Sequence, residues 1–157
     1  MDNMADNVEG VINLKTFDHI SMVVKDAHKT AEQWETMLGV GPWAYVERGG
    51  TYPDGSTIKV ICAYAYTENE VEVELIEIVE GRCFHSEFAD TIGEGLHHVG
   101  YMVDDVLGLT KKLVDQGAEV VMDQGAGCQY IRFPGDGGVI VELYRTHPPY
   151  KENKGIA

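Results

Sequence analysis

The feature that most constrains this chain is a repeat. FDHISMVVKD, from Phe17 to Asp26, returns in altered form as GLHHVGYMVDD, from Gly95 to Asp105. In each copy a His opens an alternating apolar strand, and an Asp seven positions later, Asp26 after His19 and Asp105 after His98, stands where a helix N-cap belongs. Each copy continues with a helix-period segment closed by a Gly, Gly39 or Gly117. Each later has a strand built on Val-Glu-Leu: VEVELIE, carrying Glu74, and VIVELYR, carrying Glu142. A duplication with one His and one Glu per half requires two like modules.

Charge and length exclude several classes. A chain of 157 residues with 44% hydrophobic content suits one ordinary domain or two small fused halves. The net charge of -14, with 12 scattered basic residues, argues against nucleic acid or an anionic membrane as partner, since phosphate contacts need clustered Lys and Arg. No apolar run approaches the ~20 residues of a membrane span. Cys62, Cys83 and Cys128 are odd in number and lack CxxC spacing, and the acidic start MDNMADNVEG has neither the basic opening nor the apolar core of a secretion signal. The expectation is a cytoplasmic protein whose thiols are reduced and pack as small hydrophobes.

Periodicity predicts a tail over residues 1–14, a first module over 15–80, a connector over 81–94 with a short amphipathic turn, a second module over 95–146 and a polar tail over 147–157. In the first module a strand from Thr16 to Val24 puts Ile20, Met22 and Val24 on a core face, with His19, Ser21 and Val23 opposite. A helix from Asp26 buries Ala27, Ala31, Trp34 and Leu38. Strands follow at about Trp43 to Glu47, Thr57 to Tyr66 and Glu70 to Val79, with GGTYPDGS as a turn. In the third of these Val71, Val73 and Leu75 face one way, and Glu72, Glu74, Ile76 and Ile78 the other. The second module repeats the plan: a strand with Val99, Tyr101 and Val103 on its core face, a helix from Asp105 to Gln116, then strands near Ala118 to Met122, Gln129 to Phe133 and Val139 to Arg145. The fold class is α+β, two tandem βαβββ modules with an antiparallel or mixed sheet covered by helices on one face.

His19, Glu74, His98 and Glu142 all fall on the face that does not pack on a helix. An ionised carboxylate among valines and isoleucines is costly unless a cation compensates it, and two of them repel. A divalent metal answers both costs, and two imidazoles with two carboxylates admit Zn, Ni, Co, Mn and Fe alike. A lone His or Glu on a strand is more often structural; four at matched places in a duplicated unit reverse that balance. His97 is expected on the opposite face as a structural or outer partner. His28 and His147 read as surface residues, and His85 stays open. Trp43, Tyr45, Tyr64, Tyr66, Tyr101 and Tyr144 read as packing residues ahead of ring binders.

Together FDHISMVVKD, VELIE, GEGLHHVGYMVDD and GGVIVELYR resemble the vicinal oxygen chelate superfamily, the glyoxalase and bleomycin-resistance fold, over residues 16–145. GEGLHHVGYMVDD is most similar to its methylmalonyl-CoA epimerase branch. The resemblance implies modules curling into a half-barrel with helices outside, a divalent metal on His19, Glu74, His98 and Glu142, a homodimer, and an acyl-CoA or 2-oxo compound as substrate. It implies an isomerase that takes a proton next to a carbonyl, with Glu142 as the shuttle. Where epimerases carry a second basic Glu on the third strand, this chain has Lys59, expected as a weaker second base. Their His-Pro-Lys before the last strand is here Phe133-Pro134-Gly135-Asp136, which removes a basic group for CoA phosphates. Tyr130 and Arg132 are expected to line the cup. A lactoylglutathione lyase stays open, since Glu74 fits it equally. An Fe(II) dioxygenase is disfavoured by a Glu where its second His would stand. A non-catalytic, antibiotic-sequestering binder is the third reading, and that class lacks the four ligands.

Overall fold

The computed structural model describes residues 10–12, 14, 16–51, 53–135 and 139–145. They form two compact units, His19–His98, and residues 99–145 together with 10–18. The tails expected at 1–14 and 147–157 lie mostly or wholly outside the described residues.

The first unit contains β1 (His19–Val24), α1 (Ala27–Leu38), β2 (Ala44–Thr51), β3 (Thr57–Tyr66), β4 (Glu72–Glu80), α2 (Ser86–Thr91) and the first half of β5 (Gly95–Met102). Its strands are ordered β2-β3-β4-β1-β5, with β1 parallel to β4 and antiparallel pairing of β2 with β3 and of β3 with β4. Asp26 caps α1, its side chain accepting from the Lys29 backbone N–H at 2.8 Å, and Gly39 ends it in the left-handed region at φ 70°. Ala27 and Ala31 are small enough to bring the helix down onto Val24, Ala63, Val73 and Leu75. Removing the cap in Asp26→Ala is expected to cost about 1 kcal/mol of stability, read from the urea midpoint.

Two local expectations are corrected here. Leu38 is 64% exposed; beyond the Gly39 turn, Val40 and Trp43 pack against the cluster in its place. The stretch expected as a turn begins later than read: Gly49 and Gly50 extend β2 by pairing with Lys59 and Ile58, and the turn falls at Pro53, Asp54 and Gly55. A Cβ on Gly49 would stand 2.6 Å from the Ile58 carbonyl oxygen, so only glycine allows that approach.

The second unit contains the rest of β5, α3 (Val106–Val114), β6 (Glu119–Asp123), one turn of 3-10 helix (Gly125–Gly127), β7 (Cys128–Arg132) and β8 (Ile140–Tyr144). Its strand order is β5-β8-β7-β6. In both modules, therefore, the first strand neighbours the fourth, the fourth the third, and the third the second, as a duplicated βαβββ plan requires. Asp105 caps α3 through the Gly108 N–H at 2.9 Å, as Asp26 caps α1. Val103, Val106, Leu113, Ala118, Ile131 and Leu143 form the core beneath α3. Asp18, just before β1, belongs to this unit: its N–H donates to the Gly100 carbonyl at 2.8 Å, and its carboxylate accepts from the Met102 N–H. The architecture is the expected α+β class with a mixed sheet. No helix among the described residues is long and apolar enough to cross a membrane.

Candidate metal centre

β4 organises the site because its two faces go to different places. Val73 and Leu75 pack under α1, while Glu72, Glu74 and Ile76 point the other way. Across the β1–β4 ladder His19 stands beside Glu72 and Ser21 beside Glu74. Across β3–β4, Tyr66 stands beside Glu72, Tyr64 beside Glu74 and Cys62 beside Ile76. Imidazole, hydroxyl, carboxylate and phenol thus share one buried face.

His98, on the first half of β5, joins this group. Its Nε2 lies 3.8 Å from Glu74 Oε2, and its ring meets that of His19 edge-on with centroids 5.3 Å apart. The first unit therefore brings together three of the four expected ligands, His19, Glu74 and His98. The His98 side chain is fully buried and that of Glu74 is 14% exposed. A carboxylate so placed needs a cation beside it. The 3.8 Å gap exceeds hydrogen-bond length. Two ligand atoms sharing a tetrahedral ion at ~2.1 Å stand roughly 3.4 Å apart, so the His98 and Glu74 atoms lie close to the spacing that one shared ion requires. The donors suit a borderline first-row metal.

The neighbours are tuned by the same burial. Glu72, 1% exposed, accepts a hydrogen bond of 2.6 Å from the Tyr66 hydroxyl. Arg48 Nη2 donates to the Tyr64 hydroxyl at 3.0 Å, and burial, followed by the charge of Glu74, raises that phenol far above its ordinary range. Burial first and Glu74 second push the Cys62 thiol up to about 11. Cys62 is therefore expected to resist thiol reagents at pH 8 in the folded protein and to react on unfolding. Its raised value favours the folded state below the ordinary thiol pKa of 9.0, and that contribution is lost as pH rises through about 11.

Lys59, expected as a second base, is not part of this group. Strand alternation turns it to the side of Ile61 and Ala63, opposite Cys62 and Tyr64, and its ammonium lies 3.0 Å from Glu47. In the second unit Glu142 stands on β8 opposite Tyr130 of β7, and Cys128 Sγ donates to its Oε1 at 3.0 Å. Tyr130 is buried on that face, whereas Arg132 reaches Glu119 at 3.2 Å. Cys128 is thus more than a small hydrophobe.

The connector supplies residues the sequence left open. The His97 ring is buried against Phe84, His85 and Phe88, with centroids at 5.2, 4.5 and 5.3 Å. Although its neighbour was expected to point away, His98 meets it: the two Nδ1 atoms are 2.9 Å apart. The aromatic wall from the connector holds the ring in that contact.

A family model described as the Glyoxalase/Bleomycin resistance protein/Dioxygenase superfamily matches residues 18–133. The chain belongs to this superfamily. Among solved structures, glyoxalase-superfamily likeness extends to the methylmalonyl-CoA epimerase of Mycobacterium tuberculosis, with a TM-score of 0.65 and 19% identity over 94% of this chain and 99% of that one. A variant of the Streptomyces coelicolor methylmalonyl-CoA epimerase, in complex with 2-nitronate-propionyl-CoA, matches with a TM-score of 0.56 and 20% identity over 84% and 97%. A 4-hydroxymandelate synthase variant from Streptomyces coelicolor matches at 0.60 and 17% identity, over 84% of this chain and 49% of that one. No curated protein matches. At these identities the structures show a shared fold.

Proposed function

We propose that this glyoxalase-superfamily protein is a metal-dependent isomerase of the methylmalonyl-CoA epimerase kind, acting on an acyl-CoA whose reacting carbon lies next to a carbonyl. The observation that carries the reading is the convergence of His19, Glu74 and His98 on one buried face, with Nε2 of His98 3.8 Å from the Glu74 carboxylate. Glu142, the matched residue of the second module, is proposed as the fourth ligand. The fold likeness to two methylmalonyl-CoA epimerases supports the substrate class. The homodimer belongs to the same proposal.

A divalent cation held there supplies Lewis-acid stabilisation of the negative charge that builds on a carbonyl oxygen. The residues do the rest. Glu142 takes the proton from one face of the carbon, with the Cys128 thiol, bonded to Oε1, fixing the rotation of that carboxylate, and a proton from solvent water returns on the opposite face. Tyr64, kept protonated by burial, offers a neutral polar group beside Glu74. Val60, Cys62 and Ile76 keep that part of the face apolar. Lys59, tied to Glu47 on the other face, is left out of the proton path.

The test is to load the protein in turn with Co, Ni, Zn or Mn and incubate it with (2S)- or (2R)-methylmalonyl-CoA in D2O. NMR is expected to show deuterium entering at C2. No exchange with any of the four metals overturns the epimerase reading. Metal analysis of the purified protein separates it from a metal-free binder.

A further inference from the structure

We infer that His97 is a positioning residue that decides which nitrogen of His98 faces the cation site; the inference rests on the proposal that His98 is a ligand. Both rings are buried, and their Nδ1 atoms stand 2.9 Å apart. A neutral imidazole has one N–H and one lone pair. Two Nδ1 atoms at that distance cannot both hold hydrogens or both hold lone pairs, so one donates and the other accepts.

The two arrangements have opposite consequences for His98. If His98 donates, its Nε2 keeps a lone pair on the side of Glu74, where Nε2 lies 3.8 Å from the carboxylate. If His97 donates, His98 carries its proton on Nε2 and is closed to a metal. Only the first is a ligand, and metal-bound histidines generally have their other N–H held by a hydrogen-bond acceptor. Here that acceptor is another imidazole, clamped by Phe84 and Phe88. His85, His97 and His98 also form a compact trio of nitrogen donors. The two Nδ1 atoms face each other in a hydrogen bond, so the trio is taken as the support of His98, and the Zn2+ titration below counts whether it holds a second ion.

Two substitutions separate positioning from packing. His97→Phe keeps an aromatic ring among Phe84, His85 and Phe88 but removes the acceptor; His97→Asn places an amide oxygen near the former Nδ1. Nitrogen-resolved NMR of the metal-free wild type is expected to show the His98 proton on Nδ1, retained in His97→Asn and shifted toward Nε2 in His97→Phe. In Zn2+ titrations the Phe variant is expected to bind about 10- to 100-fold more weakly and the Asn variant close to wild type. The inference is overturned by a wild-type His98 with no proton on Nδ1, by a Phe variant that binds Zn2+ as wild type does, by an Asn variant no better than Phe, or by a second Zn2+ per chain that His97→Phe abolishes. A wild type that binds no Zn2+ sinks the proposed function instead, and the NMR of the metal-free protein still decides the tautomer.

Discussion

The His98→Ala protein is expected to remain folded, to bind Zn2+ more than about 100-fold more weakly than wild type, and to show no deuterium exchange at C2. Loss of an outer partner costs a metal site about 10- to 100-fold, and loss of the ligand itself costs more. His98 is the residue where the effect is largest because it stands beside both other expected ligands of the first unit and its supporting ring: Nε2 lies 3.8 Å from the Glu74 carboxylate, the His19 ring meets it edge-on, and His97 faces its Nδ1. His28→Ala is the control. That ring stacks on Tyr45 at 4.1 Å, away from the ligand-bearing face, and its removal leaves Zn2+ affinity unchanged. Calorimetric titration measures both variants, with circular dichroism confirming the fold. A His98→Ala protein with wild-type affinity would remove the metal centre from consideration.

The repeat made much of this legible, and it also decided what stayed hidden. Alternation along β1, β4 and β5 put His19, Glu74 and His98 on the face away from the helices, because a strand has a side-chain period of two whatever its partners are. Matched positions reveal nothing about residues that only one module has. Glu72 is the clearest: it lies two residues before Glu74, buried and bonded to Tyr66, but Ile140 holds the equivalent place before Glu142. Arg48 and Cys128 were missed for a different reason. Their contacts with Tyr64 and Glu142 run between strands, and the β2–β3 and β7–β8 registers that create them cannot be read from one strand alone. Lys59 shows a different limit of the sequence. Likeness to a family pattern placed it at a base position, while the same period that exposes Cys62 and Tyr64 to the site turns Lys59 from it. The glycines of β2 look like a turn in sequence because composition alone does not distinguish a turn glycine from one that lets two backbones approach.

Because adjacent residues of β4 serve opposite faces, Leu75→Ala and Glu74→Gln are expected to give reciprocal results. Leu75 is fully buried and packs with Val24, Ala27, Ala31, Ala63 and Val73 beneath α1. Its truncation leaves a cavity between helix and sheet and should cost about 2–5 kcal/mol of stability. The Zn2+ affinity of the folded fraction stays near wild type, since no ligand atom moves to the other face. Glu74→Gln keeps the volume and removes the charge. The metal-free protein then no longer holds an incompletely compensated carboxylate near His98, so its stability is unchanged or raised. Zn2+ affinity nevertheless falls by more than about tenfold, because a neutral amide oxygen holds a dication more weakly than a carboxylate does. Urea unfolding of the metal-free proteins and Zn2+ titration of the folded ones measure the two quantities independently. Equal destabilisation by both substitutions, or a loss of affinity in Leu75→Ala as large as in Glu74→Gln, would show that packing and metal binding are one property of β4 and would leave the site without a dedicated face.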